Sequence, residues 1–231
     1  MPHTVLLRDW LDRHLVRSHT EEELKNGYSL EPASADASFR RYFRVSLPDG
    51  STRIVMDAPP ELEDCRPFLE VAALLREAGV HAPEVFAEDL SQGFLLLSDL
   101  GSTTYLSVLN ADTAPKLYRD ANAALVDIQR ASRSGVLPEY DRALLTRELN
   151  LFPDWYVARH LGITLDEKQD ATLRTVFEKI LANNLAQPQV FVHRDYHSRN
   201  LMVAGDSYPA NPGIIDFQDA VYGPITYDLA S

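Results

Sequence analysis

The sequence has a single cysteine, Cys65, among its 231 residues. One thiol can form neither an internal disulfide framework nor a cysteine-based metal cluster, and such sparse use of cysteine is typical of a reducing compartment. The sequence also lacks an uninterrupted apolar run close to the roughly 20 residues that a membrane-spanning helix needs. Its first residues show no apolar core followed by a small-residue cleavage site. We therefore expect a cytoplasmic protein that is neither secreted nor membrane-spanning.

Basic residues are fewer than acidic residues, with 22 Lys and Arg against 34 Asp and Glu, which gives a formal net charge of −12 at pH 7. Nucleic acids and anionic membranes are bound by clustered basic side chains, so neither is expected as a partner. An acidic surface usually serves solubility, although it also suits a neutral or cationic ligand. The 45% of hydrophobic residues suffices for one large domain or two small ones. The oligomeric state has no signature in the sequence.

The first hundred residues predict a small antiparallel sheet and a helix. Residues 6–15 have apolar side chains at helical spacing, so the chain opens with an amphipathic helix. Segments 38–45 and 53–56 are rich in aromatic and β-branched residues, and a Pro-Asp-Gly turn between them predicts a hairpin. A second helix is predicted over 64–78, ended by Gly79, and an apolar strand over 94–97.

Helices dominate the rest of the chain. They are predicted near 114–131, 147–160 and 166–185, with Thr164 as the N-cap of the last. Three short strands follow at 190–192, 201–203 and 213–215, with polar residues at their ends. The sequence thus predicts an α+β protein with a boundary near Gly101, giving an amino-terminal domain over 1–100 and a carboxy-terminal domain over 101–231.

The polar residues at these strand ends have the spacing of a phosphotransfer site. Asp195 and Asn200 lie five positions apart between two apolar strands, and Asp216 ends the next strand sixteen residues later. Phosphoryl transfer needs a base near the acceptor hydroxyl and oxygen ligands for Mg²⁺, and these three side chains supply both. Asp and Asn also cap tight loops, but capping leaves Asp216 unexplained.

The stretch His193-Arg194-Asp195-Tyr196 with Asn200 resembles the catalytic loop of protein kinases. Asp216-Phe217-Gln218 resembles their D-F-G motif with the glycine replaced. The resemblance implies a protein-kinase-like, two-lobed fold that uses ATP and Mg²⁺. It makes Asp195 the catalytic base and assigns the metal to Asn200 and Asp216.

Only eleven residues separate Asp216 from Asp228, which is too short for the activation loop on which protein substrates dock. This spacing, together with His197 and the run 222–230, is similar to the aminoglycoside phosphotransferase and choline kinase group. That likeness implies a small-molecule acceptor. It also makes Asp228 a structural brace of the catalytic loop, a role that His193 shares. The loop residues expected near the acceptor are Arg194, Tyr196 and His197.

The amino-terminal half fits the same template by position. Segment 30–45 corresponds to the loop that covers the nucleotide, with residues 35–38 in place of its glycines, and segment 94–101 corresponds to the hinge that reads adenine. The resemblance implies nucleotide contacts at Ser98 and Asp99, where Asp99 either binds ribose or caps the following helix. It also matches Glu70 to the Glu that pairs with a phosphate-binding Lys.

That Lys is absent, because the strand over 53–57 has Met56 or Asp57 at its position. If the protein is an active kinase, another cation should neutralise the triphosphate. The candidates are Arg44 and Arg53, with Arg40 and Arg41 behind them.

Segments 38–44, 56–60, 97–101 and 193–197 resemble the bacterial anomeric N-acetylmuramate/N-acetylglucosamine kinases of cell-wall recycling. In that family the missing Lys is ordinary, and members continue into further helices, so we expect the C-terminal helices to be missing from this sequence. The resemblance implies ATP-dependent phosphorylation of an amino sugar at its anomeric hydroxyl. The alternatives are an antibiotic phosphotransferase or other small-alcohol kinase, and a non-catalytic pseudokinase-like binding module.

Overall fold

The computed structural model describes residues 3–15, 27–35 and 39–231, and it contains two compact units. The first comprises Met1–Ala124 and Ser198–Gln218, and the second comprises Leu125–His197 and Asp219–Ser231. The boundary predicted near Gly101 divides the chain differently, into an amino-terminal and a carboxy-terminal lobe, and it stays a prediction. Within the described part of the chain, no helix is both long and apolar enough to cross a membrane.

The first unit is built on a five-stranded antiparallel sheet. Its strands are β1 (Ser29–Ala35), β2 (Arg41–Ser46), β3 (Thr52–Asp57), β4 (Val85–Asp89) and β5 (Phe94–Ser98), in the order β1-β2-β3-β5-β4. The predicted hairpin is confirmed as β2 and β3, and the predicted apolar strand as β5. Sequence reasoning missed β4 and assigned β1 to a loop, because both carry residues with low strand propensity. Residues 36–38 of the predicted covering loop lie outside the described residues.

Helix α1 (His3–Leu15) packs on one face of this sheet, as its apolar spacing predicts. Leu7, Trp10 and Leu11 are at most 2% exposed and share a core with Val55 and Phe94. Burying such side chains is worth about 1.5–3 kcal/mol each, so this face of the sheet is firmly covered.

Helix α2 (Arg66–Glu77) buries the predicted apolar stripe, including Phe68 and Val71. Its C-cap is Ala78, and Gly79 follows with a φ of +81°, a conformation that favours glycine. Helices α3 (Tyr105–Val108) and α4 (Ala114–Arg130) come next along the chain.

The segment Ser198–Gln218 belongs to the first unit through a small two-stranded sheet. Its strands are β7 (Leu201–Met202) and β8 (Gly213–Ile214). Met202 forms an isolated bridge with Thr104, and Gly213 forms one with His81. These bridges hold Asn200 and Asp216, which flank the two strands, within the first unit.

The second unit contains α5 (Arg142–Leu151), a π-helical segment (Phe152–His160), α6 (Glu167–Leu185) and α7 (Tyr227–Ala230). Its strands β6 (Gln189–Val192) and β9 (Val221–Pro224) pair antiparallel. The helix predicted over 147–160 begins earlier and changes to π-helix at Phe152. Strand β9 was not predicted, because Gly223 and Pro224 are typical of a turn.

The N-cap of α6 is Asp166, so the prediction of Thr164 was wrong. Asp166 accepts a hydrogen bond from the N–H of Gln169 at 2.8 Å, and the Gln169 side chain accepts one from the N–H of Asp166 at 3.0 Å. This reciprocal pair is a capping box, which satisfies two N–H groups at once and fixes the start of the helix.

Candidate nucleotide pocket and catalytic loop

The first unit contains a cavity of about 390 Å³ beside its sheet. Arg44, Ile54 and Leu97 are neighbours across three adjacent strands, so their side chains point to one face, and all three line the cavity. Ser98 at the end of β5, the segment 99–102 after it and the pair Asn200 and Asp216 complete much of the remaining wall. This combination of an apolar sheet face and a few polar groups is typical of a small-molecule site.

The two candidate cations lie on opposite faces of the sheet. Arg53 is one residue away from Ile54 along β3, so strand alternation directs its side chain away from the cavity. The Arg53 guanidinium stacks over the Phe86 ring at 4.6 Å from its centroid. The structure therefore brings Arg44, and not Arg53, to the pocket.

Arg44 forms a two-pronged ion pair with Asp99. Its Nε donates to Asp99 Oδ2 at 2.6 Å, and its Nη2 donates to Oδ1 at 3.0 Å and to the Gly101 carbonyl at 3.0 Å. Burial alone would raise the pKa of Asp99, but hydrogen bonds from Arg44, Gly101 and Thr52 outweigh it and lower that pKa. The hydrogen bond to Asp99 raises the pKa of Arg44.

Asp99 thus has a different set of partners from those expected of it. The N–H of Gly101 donates to Asp99 Oδ1 at 2.9 Å, which makes a local turn and does not cap a helix. Because a carboxylate has about four acceptor positions and Asp99 receives Arg44, Gly101 and Thr52, little acceptor capacity is left for a ribose.

Ser98 also lines the cavity, but its hydroxyl accepts a hydrogen bond from the N–H of Glu84 at 2.9 Å. The N–H of Leu100, two residues later, donates no hydrogen bond within the described part of the chain. Glu70 lies exposed on α2 and makes no ion pair with any residue that the structure describes. Its predicted partner role stays a prediction.

Asn200 and Asp216 lie side by side. Asn200 Nδ2 donates to Asp216 Oδ2 at 3.2 Å, and Gln218 Nε2 donates to Asp216 Oδ1 at 3.1 Å. The N–H of Ile215 donates to the Asn200 carbonyl at 3.1 Å, which aligns the two segments. Asp216 has a φ of +65°, and a non-glycine residue held in this region is often part of a functional site.

The donor set of this pair fits magnesium. Mg²⁺ prefers oxygen ligands and usually takes one or two carboxylates with water and substrate phosphates, so it needs no dedicated protein cage. Asp216 offers a carboxylate and Asn200 an amide oxygen once the amide turns toward the ion. Among the described residues no cluster of three or more His, Cys, Asp or Glu could hold a metal.

In the second unit, Asp228 fixes the backbone of the loop that bears Asp195. Its Oδ2 accepts the N–H of His193 at 2.7 Å and its Oδ1 accepts the N–H of Arg194 at 2.9 Å. Burial raises the pKa of Asp228 to about 6, with a further contribution from the charge of Asp195, although the two hydrogen bonds oppose the rise. The side chain of Asp228 is only 4% exposed, so these bonds are shielded from water.

The guanidinium of Arg194 is held by residues outside the loop. Its Nη2 donates to Glu148 Oε1 on α5 at 2.5 Å, and its Nη1 donates to the Asp219 carbonyl at 3.4 Å. The centroid of the Tyr140 ring lies 5.8 Å from the guanidinium carbon. These contacts occupy the side chain that was expected near the acceptor.

Asp195 is exposed on the loop between these anchored residues. Its carbonyl accepts the N–H of His197 at 2.9 Å. Tyr196 is buried with its ring edge-on to His193, at 5.7 Å between centroids. The ring nitrogen Nδ1 of His197 is buried and has no hydrogen-bond partner among the described residues.

Two residues with candidate roles were missed by sequence reasoning. Glu148 anchors Arg194 from α5, where no motif marks it. Arg199 lines the cavity and stands directly before Asn200, and that adjacency could have identified it.

The family model described as "Phosphotransferase enzyme family" matches residues 29–231. A protein of Pseudomonas aeruginosa named N-acetylmuramate/N-acetylglucosamine kinase is 55% identical over 200 residues, which is 87% of this chain and 58% of that protein. Its namesake in Pseudomonas putida is 52% identical over 223 residues, 95% of this chain and 64% of that protein. The chain therefore spans about three-fifths of the length of these curated relatives.

Two solved structures illustrate the fold. Aminoglycoside phosphotransferase APH(2'')-Ib with ADP bound matches with a TM-score of 0.62 at 16% identity, over 90% of this chain and 72% of that one. A choline/ethanolamine kinase family protein from Mesorhizobium loti matches with a TM-score of 0.57 at 14% identity, over 94% and 67%. These neighbours confirm the predicted α+β, protein-kinase-like fold.

Proposed function

Because the chain belongs to the phosphotransferase enzyme family, we propose that it carries the nucleotide-binding and catalytic part of an ATP-dependent sugar kinase. The acceptor that we propose is N-acetylmuramate or N-acetylglucosamine, phosphorylated at the anomeric hydroxyl during cell-wall recycling. The observation that carries the kinase proposal is the Asn200 and Asp216 pair at 3.2 Å in the wall of the cavity. The acceptor follows from relatives with that printed name at 55% and 52% identity.

The cavity would take the nucleotide. The apolar surface of Ile54 and Leu97 suits the adenine ring, and the available N–H of Leu100 suits one of its ring nitrogens. Ser98 and Asp99 would contribute to the adenine end of the cavity mainly through their main-chain groups, since both side chains already have partners. Asp99 would also keep Arg44 in place through their ion pair. Arg53 and Glu70 do not enter this proposal.

Asn200 and Asp216 would hold magnesium at the phosphates. When bound, the ion neutralises charge that develops on the transferring phosphoryl group. The Asp216 carboxylate carries the negative charge that retains such an ion, and Gln218 keeps it oriented through a 3.1 Å hydrogen bond.

Asp195 would accept the proton of the attacking hydroxyl. The loop that bears it is tied by two hydrogen bonds from backbone N–H groups to Asp228, so the carboxylate is presented from a fixed backbone. An anomeric hydroxyl is more acidic than an ordinary sugar alcohol, which lets a single carboxylate remove its proton. Among the other predicted loop residues, Tyr196 is buried and the Arg194 guanidinium is held by Glu148, so neither is assigned an acceptor contact.

A substrate screen tests this proposal. ATP consumption by the full-length enzyme would be measured with N-acetylmuramate, N-acetylglucosamine, choline and kanamycin, and the product would be examined by phosphorus NMR. A sugar 1-phosphate is expected, formed in the cytoplasm in vivo. Turnover of kanamycin alone, or a 6-phosphate product, would favour another branch of the same family. Nucleotide binding without turnover of any acceptor would favour a pseudokinase-like binding module.

A further inference from the structure

The nucleotide pocket has an unusual distribution of positive charge. The strand position at which kinases carry a phosphate-binding Lys is occupied here by Met56 or Asp57, both buried. Asp57 forms an ion pair with Arg41 and adds no positive charge. Among the described residues that line the cavity, the basic side chains are Arg44 and Arg199.

Arg44 is already committed to other partners. Three of its five N–H donors are used, two on the Asp99 carboxylate and one on the Gly101 carbonyl. Because Asp99 carries one negative charge, the pair has no net charge with which to attract a triphosphate. The ion pair instead connects β2 to the segment after β5 along one side of the cavity.

Arg199 differs from Arg44 in each of these respects. Its side chain is exposed and lines the cavity, and it makes no hydrogen bond or ion pair with any residue in the described ranges. All of its guanidinium donors are therefore available. It immediately precedes Asn200, whose amide lies 3.2 Å from the Asp216 carboxylate.

We propose that Arg199 binds the nucleotide phosphates and supplies the positive charge of the absent Lys, whereas the Arg44 and Asp99 pair shapes the pocket. This inference rests on the proposed nucleotide site. Magnesium ions in kinases contact the terminal phosphates, so these phosphates belong beside Asn200 and Asp216, where Arg199 also stands. A guanidinium is suited to this task because its planar donors match two phosphate oxygens at once.

The test compares ligands that differ only in the number of phosphates. Affinities of the 231-residue chain for adenosine, ADP and ATP would be measured with Mg²⁺ by calorimetry, with adenosine measured by competition against a fluorescent ADP analogue. Arg199→Ala should leave adenosine binding within about twofold, because no phosphate is present, and should weaken ATP binding about tenfold or more. Arg199→Lys should recover part of the loss.

Two other variants complete the design. Arg44→Ala combined with Asp99→Ala, which removes the ion pair without changing the net charge, should weaken adenosine, ADP and ATP by a similar factor, because the pair shapes the pocket and does not read phosphate. Arg119→Ala is the matched control, since Arg119 is an exposed arginine on α4 of the same unit that does not line the cavity. It should change none of the three affinities.

The possible results separate the two proposals. An Arg199→Ala variant that binds ATP as the parent does, or that loses adenosine and ATP equally, would overturn the role of Arg199. A phosphate-dependent loss in the charge-neutral Arg44→Ala/Asp99→Ala variant instead would assign that role to Arg44. If the unaltered chain binds none of the three ligands, the proposed nucleotide site itself is wrong.

Discussion

Replacing Asp228 by asparagine should change how the stability of the protein depends on pH. Asp228 is 4% exposed, and burial raises its pKa from 3.8 to about 6. The folded protein therefore binds a proton at Asp228 more tightly than the unfolded chain does, so protonation favours folding. This contribution is fully present below pH 3.8, decreases as the pH rises, and is lost above about pH 6.

The size of the effect follows from the shift in pKa. A change of about 2 units corresponds to about 3 kcal/mol at about 1.4 kcal/mol per unit. Asparagine has the shape of Asp228 but does not titrate. It also offers one carbonyl oxygen where Asp228 offers two to the N–H groups of His193 and Arg194, so one N–H loses its acceptor. That loss costs about 1–3 kcal/mol at every pH.

Urea unfolding at a series of pH values between 3.5 and 7.5 measures the effect. The stability of the parent minus that of Asp228→Asn should decrease by about 3 kcal/mol from the acidic to the neutral end. Effects of carboxyl groups that do not interact with Asp228 are common to both proteins and cancel in the difference. Asp154→Asn, at an exposed site in the same unit, should show no such trend. A difference that is constant or that increases with pH would refute the assignment of a raised pKa to Asp228.

Further substitutions test the site and the fold. Asp195→Asn should lower kcat by about 10²- to 10⁴-fold with little change in the KM for ATP, as steady-state kinetics would show. Asp216→Ala should abolish magnesium-dependent nucleotide binding without rescue by excess Mg²⁺, and normal ATP affinity in a magnesium titration would contradict the role of Asp216. Gly93→Ala should destabilise the first unit by about 2 kcal/mol or more in thermal unfolding, because its Cβ would lie 1.8 Å from the Ala58 carbonyl oxygen at a φ of +73°. Arg53→Ala should leave ATP affinity unchanged in calorimetry, and a large loss would mean that its side chain reaches the pocket after all.

The candidate site was largely readable from the order of its residues. The spacing of Asn200 and Asp216 around two short strands predicted a pair of metal-binding side chains, and the structure places these two side chains 3.2 Å apart. Their role as magnesium ligands and the role of Asp195 as base stay predictions. Local patterns were equally informative for α2, whose apolar stripe and terminal Gly79 predicted its extent within two residues at each end.

Local patterns failed where two nearby residues compete for the same role. Thr164 and Asp166 are both good N-caps, and the choice depended on the side chain of Gln169 reaching back to complete a capping box.

Strand β9 was missed for a different reason. Its sequence contains glycine and proline, and its strand conformation is set by pairing with β6. Propensity is a weak preference that tertiary pairing overrides.

The sequence by itself determined the family, because the family motifs depend on residue types at fixed spacing, and the same spacing predicts Asp195 as base and Asn200 and Asp216 as magnesium ligands. Only the tertiary structure decided which cations face the pocket. Arg44 and Arg53 look equivalent in the sequence, but strand pairing places Arg44 beside Ile54 on the cavity face and turns Arg53 to the other. Pairing with Asp99, 55 residues away in the chain, then neutralises Arg44 and leaves Arg199 available. Such long-range contacts form only when the chain packs, so they cannot be inferred from the order of the residues alone.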